Sequence, residues 1–418
     1  MTDKAAAPGV AGEFTRGRKV LLACMVGVAC GASPIPYNVL PIVIGPIIAE
    51  FGWGRGEILL GLTIFGIIAS FLAPTIGRLG DRLGARRVGM ASLAAFSFAF
   101  SLFYFMPGTL WGWYALWALV GLVGIGSTPV IFSRAINLWF VKHRGLALGL
   151  MLVGTSLAGF IVPQIARRVV EGMGWREVFP IMALLPLLIA LPLTFLWLRE
   201  PKRDERPAGL TDAAGQVTGV TAKQALRDRR FWILWVSIAA IAFAYGGAHI
   251  NMVQILKQHG IGLADAANVM SVVALGILSG RVVTGLLLDR FWAPAVCLPI
   301  LLMPAFSLML LMGVSTELLP LMLAGFLLGF AAGAESDLIA FLAGKYFGMA
   351  QFGRIYGLLY LPFGLFAALS PAVWGLVRDR TGSYDAILMV AMGLFAFGAV
   401  LLLFLGRYPV LTAIRAEE

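Results

Sequence analysis

Apolar runs about twenty residues long recur twelve times along the chain, roughly over 19–48, 57–76, 88–107, 111–136, 145–168, 176–198, 230–255, 265–288, 293–314, 318–343, 354–377 and 383–407. No other feature restricts the fold as much. A hydrocarbon layer ~30 Å thick is crossed by about 20 apolar residues of helix, whereas barrel strands would read as short alternating segments. The chain is therefore expected to be an all-α membrane protein with 12 transmembrane helices. Composition agrees, with 60% of the 418 residues hydrophobic and 13% charged.

The net charge of +11 could point to nucleic acid, so the placement of the charges decides. With the N-terminus inside, 23 of the 32 Lys and Arg fall on the inner side and 7 outside, while Arg134 and Arg281 fall within spans. The positive-inside rule accounts for the basicity, which predicts cytoplasmic termini and no nucleic-acid partner. The outer segment carrying Arg167, Arg168 and Arg176 is the main exception. The first apolar run is too long for a signal-peptide core and lacks a cleavage site, so it reads as retained. Cys24, Cys30 and Cys297 lie in apolar runs without metal or disulfide spacing and read as packing residues. His143, His249 and His259 are scattered, and H-E-x-x-H, G-x-S-x-G and Walker patterns are missing. Neither a metal, a cofactor nor an enzymatic activity is expected.

The stretch GRLGDRLGARR at 77–87 has a partial echo in GLLLDR at 285–290: Gly77 and Gly285 lie 208 residues apart, as do Asp81 and Asp289. The same offset links Tyr37 to Tyr245, Gly121 to Gly329, Gly145 to Gly353, Gly149 to Gly357 and Pro163 to Pro371. It also carries spans one to six onto spans seven to twelve. The expected organisation is two parallel six-helix bundles, 19–198 and 230–407, joined by a polar, basic cytoplasmic linker at 199–229 and flanked by tails at 1–18 and 408–418.

Gly77, Asp81, Arg82, Gly84, Arg86 and Arg87 fill the pattern G-x-x-x-D-[RK]-x-G-x-[RK]-[RK], and on this the chain resembles the major facilitator superfamily of transporters. EFGWGRGEI at 50–58, LWFVKHRGLALG at 138–149, GWREVF at 174–179 and KYFGMAQFGRIYG at 345–357 resemble its monocarboxylate transporter and oxalate:formate antiporter branch. The resemblance implies two halves that rock about a central site, with the loops at one end engaging in one state and parting in the other. Gly77, Asp81, Arg82, Arg86, Arg87, Asp289 and Arg290 are the expected gate, the two aspartates accepting hydrogen bonds from arginines or helix N-termini of the facing half.

A substrate site in this architecture lies near the midplane between the halves. Arg281 stands eight residues before Asp289, hence ~12 Å from the inner end. An arginine so deep is costly and functional, and its planar fork suits a carboxylate. In the resembling families span eight carries the substrate-binding arginine, and Arg281 is the residue that matches. Asp337 stands eight residues before Lys345, at the same depth as Arg281, and ranks ahead of Glu335 as the proton-coupling acid. Span one contains Pro34, Pro36, Pro41 and Pro46 and should be kinked or opened, which places Tyr37 and Asn38 in the cavity wall. Tyr245 and Asn251 occupy the symmetric span seven, with His249 a lesser candidate. Arg134 reads as a structural, snorkelling residue near the inner end of span four. The tryptophans read mostly as interface anchors.

Span one has no lysine after Lys19, Ile277 stands one turn before Arg281, and span eleven has no lysine; in each the chain departs from the resembling branch. A single cationic anchor favours a singly charged anion. The expected function is alternating-access transport of a small organic monocarboxylate with protons, by a monomer in a bacterial inner membrane. Carboxylate exchange, export of an amphipathic compound and a non-transporting sensor are the alternatives; the short linker and tails leave no room for a signalling domain.

Overall fold

The computed structural model of the protein describes residues 10–202, 205–207, 210–211, 217–314 and 317–412. Residues 1–9 of the expected N-terminal tail, 413–418 of the C-terminal one and parts of the linker lie outside them. Regular structure among the described residues is helical, apart from two isolated β-bridges. Eleven helices are long and apolar enough to cross a bilayer, and Ile35–Phe51 is a shorter apolar one.

Span one is split into α1 (Val10–Ala29) and α2 (Ile35–Phe51), followed by α3 (Arg55–Leu83) and α4 (Ala85–Ser101) as spans two and three. Span four is α5 (Leu110–Gly124) and α6 (Pro129–Trp139), span five is α7 (Arg144–Gly172), and span six is α8 (Val178–Leu184) and α9 (Leu191–Trp197) around a π-helical turn. A short linker helix, α10 (Ala222–Arg227), leads to α11 (Arg229–Gln258), α12 (Leu263–Arg290), α13 (Ala293–Met309), α14 (Leu318–Tyr346), α15 (Phe352–Thr381) and α16 (Asp385–Leu403). The 208-residue offset carries Ala85–Ser101 onto Ala293–Met309 residue for residue, so the duplication survives in the helix boundaries.

The halves differ where the first is broken. Pro34 and Pro36 supply no backbone N–H, so the ladder of span one cannot run through them. Past the end of α1 at Ala29, the Ala32 N–H donates to Ser127 Oγ at 3.0 Å. Ser127 ends a 3₁₀ turn (Ile125–Ser127) that breaks span four just before Pro129. The break in span four thus supplies an acceptor for the break in span one. One repeat later α11 and α14 run straight through, and Ser127's position is occupied by Glu335.

Helix α1 begins at Val10, ahead of the apolar run expected from 19. Glu13 anchors this polar turn, accepting the backbone N–H groups of Lys142 and His143 at 3.2 and 3.1 Å and lying 3.0 Å from His143 Nδ1. Some tryptophans are packed inside the protein. Trp113 and Trp117 are buried in an aromatic cluster with Phe103 and Phe179, and Trp374 is buried in the second half. Cys24, Cys30 and Cys297 are buried free thiols.

Candidate functional site

At the end where the linker runs, two carboxylates cross the seam between the halves. Asp81, near the end of α3, accepts the N–H groups of Gly353 and Arg354 at 2.8 and 2.9 Å. Asp289, at the end of α12, accepts those of Gly145 and Leu146 at 2.6 and 2.9 Å. All four donors belong to first-turn N–H groups that have no intrahelical acceptor, and the helix dipole adds to their attraction for an anion. The contacts are related by the same 208-residue offset as the sequence. Glycine makes the approach possible: a Cβ on Gly77 would stand 1.8 Å from Gly353 O, and one on Gly285 2.6 Å from Gly145 O.

The expected gate arginines do not carry this seam. Among the described residues Arg82, Arg87 and Arg290 are exposed and make no ion pair, while Arg86 lies over the Phe195 ring at 4.8 Å. Backbone donors satisfy the aspartates instead. Gly84 ends α3 with a positive φ of 84° and is not at the inter-half approach. Arg134, expected to snorkel, is engaged: its Nη1 lies 2.6 Å from Asp81 and its Nε 3.1 Å from Glu200.

Deeper between the halves lies a cavity of about 200 Å³. Ser33, Pro129, Leu152 and Thr155 line it from the first half, and Tyr245, Ile277, Arg281, Ala332, Glu335, Tyr356, Tyr360 and Phe363 from the second. Its charged groups thus come from the second half. Helix α12 brings in Arg281, whose Nη1 donates to Thr155 Oγ1 at 2.5 Å across the seam. Its Nε is buried and makes no hydrogen bond. With Nη1 held by Thr155, the Nε edge of the guanidinium is the one that can grip a carboxylate side-on. Glu335 is 5% exposed, and its Oε1 is buried without a hydrogen bond.

The other candidate residues are not in the lining of this cavity. Asp337 is 1% exposed and outside the cavity lining. Its Oδ2 points to the α7 side, 3.4 Å from where a Cβ on Gly149 would stand. It still acts on Arg281 electrostatically. Two residues apart on a helix means faces about 200° apart, so equal depth does not give a shared cavity. Asn38 Nδ2 donates to Pro34 O at 2.8 Å, a carbonyl that also accepts the Asn38 backbone N–H, so the side chain bonds back onto its own helix. Tyr37 is 46% exposed, packs edge-on against Phe65 and, without lining this cavity itself, neighbours Tyr360 of its wall. His249 stacks on Tyr245 with ring centroids 5.3 Å apart. Asn251 donates to Gly247 O and accepts from Tyr384. Of the expected substrate residues, the cavity gathers Arg281 and Tyr245. It adds Thr155, Tyr356 and Tyr360, of which Thr155 carried no sequence signal, because a hydroxyl in a span usually bonds its own helix. Among the described residues no three His, Cys, Asp or Glu side chains form a metal set.

Comparison with known proteins agrees with this architecture. The human organic anion transporter MFSD10 (TETRAN) superposes with a TM-score of 0.70 at 16% identity, covering 92% of this chain and 99% of that one. The Escherichia coli fucose:proton symporter FucP gives 0.66 at 15% identity, covering 94% and 99%. In sequence, human monocarboxylate transporter 11 is 27% identical over 80% of this chain and 72% of its own. The probable sulfoacetate transporter SauU of Cupriavidus necator is 26% identical over 94% and 95%. Residues 20–371 match the Major Facilitator Superfamily, so the chain, with its two helical bundles, its crossed aspartates and its central cavity, belongs to that superfamily of multi-pass membrane transporters.

Proposed function

We propose that the protein carries a small organic monocarboxylate across the membrane together with protons, by alternating access. The observation that carries this reading is the Arg281 guanidinium in the cavity, with Nη1 held by Thr155 and a buried Nε that makes no hydrogen bond. A buried donor left unmatched is costly, and a carboxylate is the ligand that this edge fits best. The cavity, at about 200 Å³, is smaller than the ~300–1,000 Å³ of pockets for drug-sized ligands, which favours a short acid. Relatives named for monocarboxylate and sulfoacetate transport support an organic acid as the class.

Charge accounts for the coupling. Asp337 already opposes Arg281, so an arriving anion leaves the midplane overcharged unless a proton is taken up, and Glu335 is the carboxyl on the cavity wall. Binding and protonation then promote each other. The positive-inside rule makes the linker end cytoplasmic, with both termini on that side. Asp81 and Asp289 close this end, while no substantial packing joins α2 to α11 among the described residues. Thermal stabilisation of the purified protein across short-chain monocarboxylates, dicarboxylates, aromatic acids and uncharged amides tests the reading, since a ligand bound only by the folded form raises Tm. Stabilisation by short monocarboxylates alone is expected; equal stabilisation by the amides would rule the carboxylate reading out.

A further inference from the structure

Glu335 stands in a wall with two sides. Besides the central cavity it lines one of about 20 Å³ inside the second half, among α11, α13, α14 and α16. Apart from Glu335 and Ser237, that lining is leucine and isoleucine. Ser237 is fully buried and its Oγ makes no hydrogen bond, and Glu335 Oε1 is buried and without one as well. Two buried polar groups without partners thus meet on one small, otherwise hydrocarbon space. Buried polar groups are nearly always matched, and a cavity needs only roughly 10–15 Å³ of such volume to admit a water.

We propose that Ser237 and Glu335 hold a single water between them, and that this is the docked position of the Glu335 carboxyl in its protonated form. The inference rests on Glu335 being the proton carrier. On the central side the acid shares the cavity wall with Arg281 of α12, Tyr245 of α11, and Tyr356 and Tyr360 of α15; its helix neighbour Asp337 turns to the seam. None of the residues lining the small cavity from α11, α13 or α16 is titratable, nor is any other from α14. An ionised carboxylate belongs with Arg281, whereas a neutral one can donate its O–H to a water that in turn donates to Ser237 Oγ. The proton comes from water in the central cavity, forms the O–H bond on Glu335 and returns to water when the carboxylate swings back. No other bond changes. The carrier thereby has a place to keep its proton away from the substrate anion while the halves rock.

Infrared difference spectra between acidic and alkaline pH, taken on the full-length protein in lipid with no substrate added, read this directly. A protonated-carboxyl C=O band is expected that Glu335→Gln removes. Ser237→Ala should move it to higher frequency, because a carboxyl with fewer hydrogen bonds has a stiffer carbonyl, and Ser237→Thr, which keeps the hydroxyl, should leave it near the native position. If Glu335→Gln removes the band but Ser237→Ala leaves its frequency unchanged, the shared water is overturned while the carrier stands. If the band survives Glu335→Gln, the carrier itself is overturned.

Discussion

Asp81 and Asp289 each cap a helix of the half to which they do not belong. Asp81 holds the start of α15 and Asp289 the start of α7, through two backbone N–H groups apiece. Each carboxylate exchanges hydration for two charge-assisted hydrogen bonds and the favourable end of a helix dipole, so closing leaves no bare charge and opening returns it to water. The clamp is symmetric in its backbone part only. Asp81 also holds Arg134, whereas the residue one repeat on from Arg134 is Leu342.

If the clamp acts as one unit, weakening either side should loosen both. Charged hydrogen bonds contribute about 1.5–3 kcal/mol each, enough for an amide substitution to shift the closed population by roughly tenfold or more. In Asp81→Asn, hydrogen exchange should accelerate at 353–354 and also at 145–146, while carboxylate binding is retained. Acceleration confined to 353–354 would mean two independent caps.

Gly77 gives a steric version of the same test. A Cβ there would lie 1.8 Å from Gly353 O, too close for any relaxation short of separating the helices, whereas a Cβ on Gly45 meets nothing within 4 Å. Gly77→Ala should reduce transport at least about tenfold while leaving ligand-induced stabilisation in place, and Gly45→Ala should be near native. Normal transport by Gly77→Ala would show that the halves need not close this tightly.

The helical bundles, their duplication and the paired placement of Asp81 and Asp289 were legible in the sequence, because hydropathy and glycine spacing are local signals. Azimuth was not. Depth along α14 could be counted in residues and put Asp337 level with Arg281, yet the structure turns Asp337 to the seam and Glu335 to the cavity. The first-half break is a related case: proline spacing pointed to an opened backbone, but the Asn38 side chain bonds back to Pro34 O of its own helix. Partners supplied by other helices, such as Thr155 for Arg281 and Glu13 for the turn at 141–143, depend on tertiary packing and leave no periodic trace.

Arg281 and Thr155 should separate by their roles. Arg281→Ala loses both charge and fork and should weaken carboxylate binding by about 100-fold or more; Arg281→Lys keeps the charge and should lose less. Thr155→Val releases Nη1 without touching the charge, with an expected loss of about tenfold. Calorimetry with a short monocarboxylate checks the order. Undiminished affinity in Arg281→Ala, with the protein folded, would falsify the anchor.

Coupling separates the two acids of α14. Glu335 lines the cavity and can meet water there, while Asp337 stands at the seam and acts on Arg281 across protein. Glu335→Gln should therefore still exchange labelled for unlabelled lactate or pyruvate across proteoliposomes but fail to accumulate it under an inward proton gradient, because the uncoupled site has nothing to exchange with the gradient. Asp337→Asn removes one fixed negative charge near Arg281, so the anion meets less repulsion; its binding should tighten and depend less strongly on protonation of Glu335. The pair of outcomes matters more than either alone. Accumulation that survives in Glu335→Gln and disappears in Asp337→Asn would exchange the two roles and move the proton to the seam. Accumulation that survives in both and in the double variant would make the protein an exchanger or a facilitator.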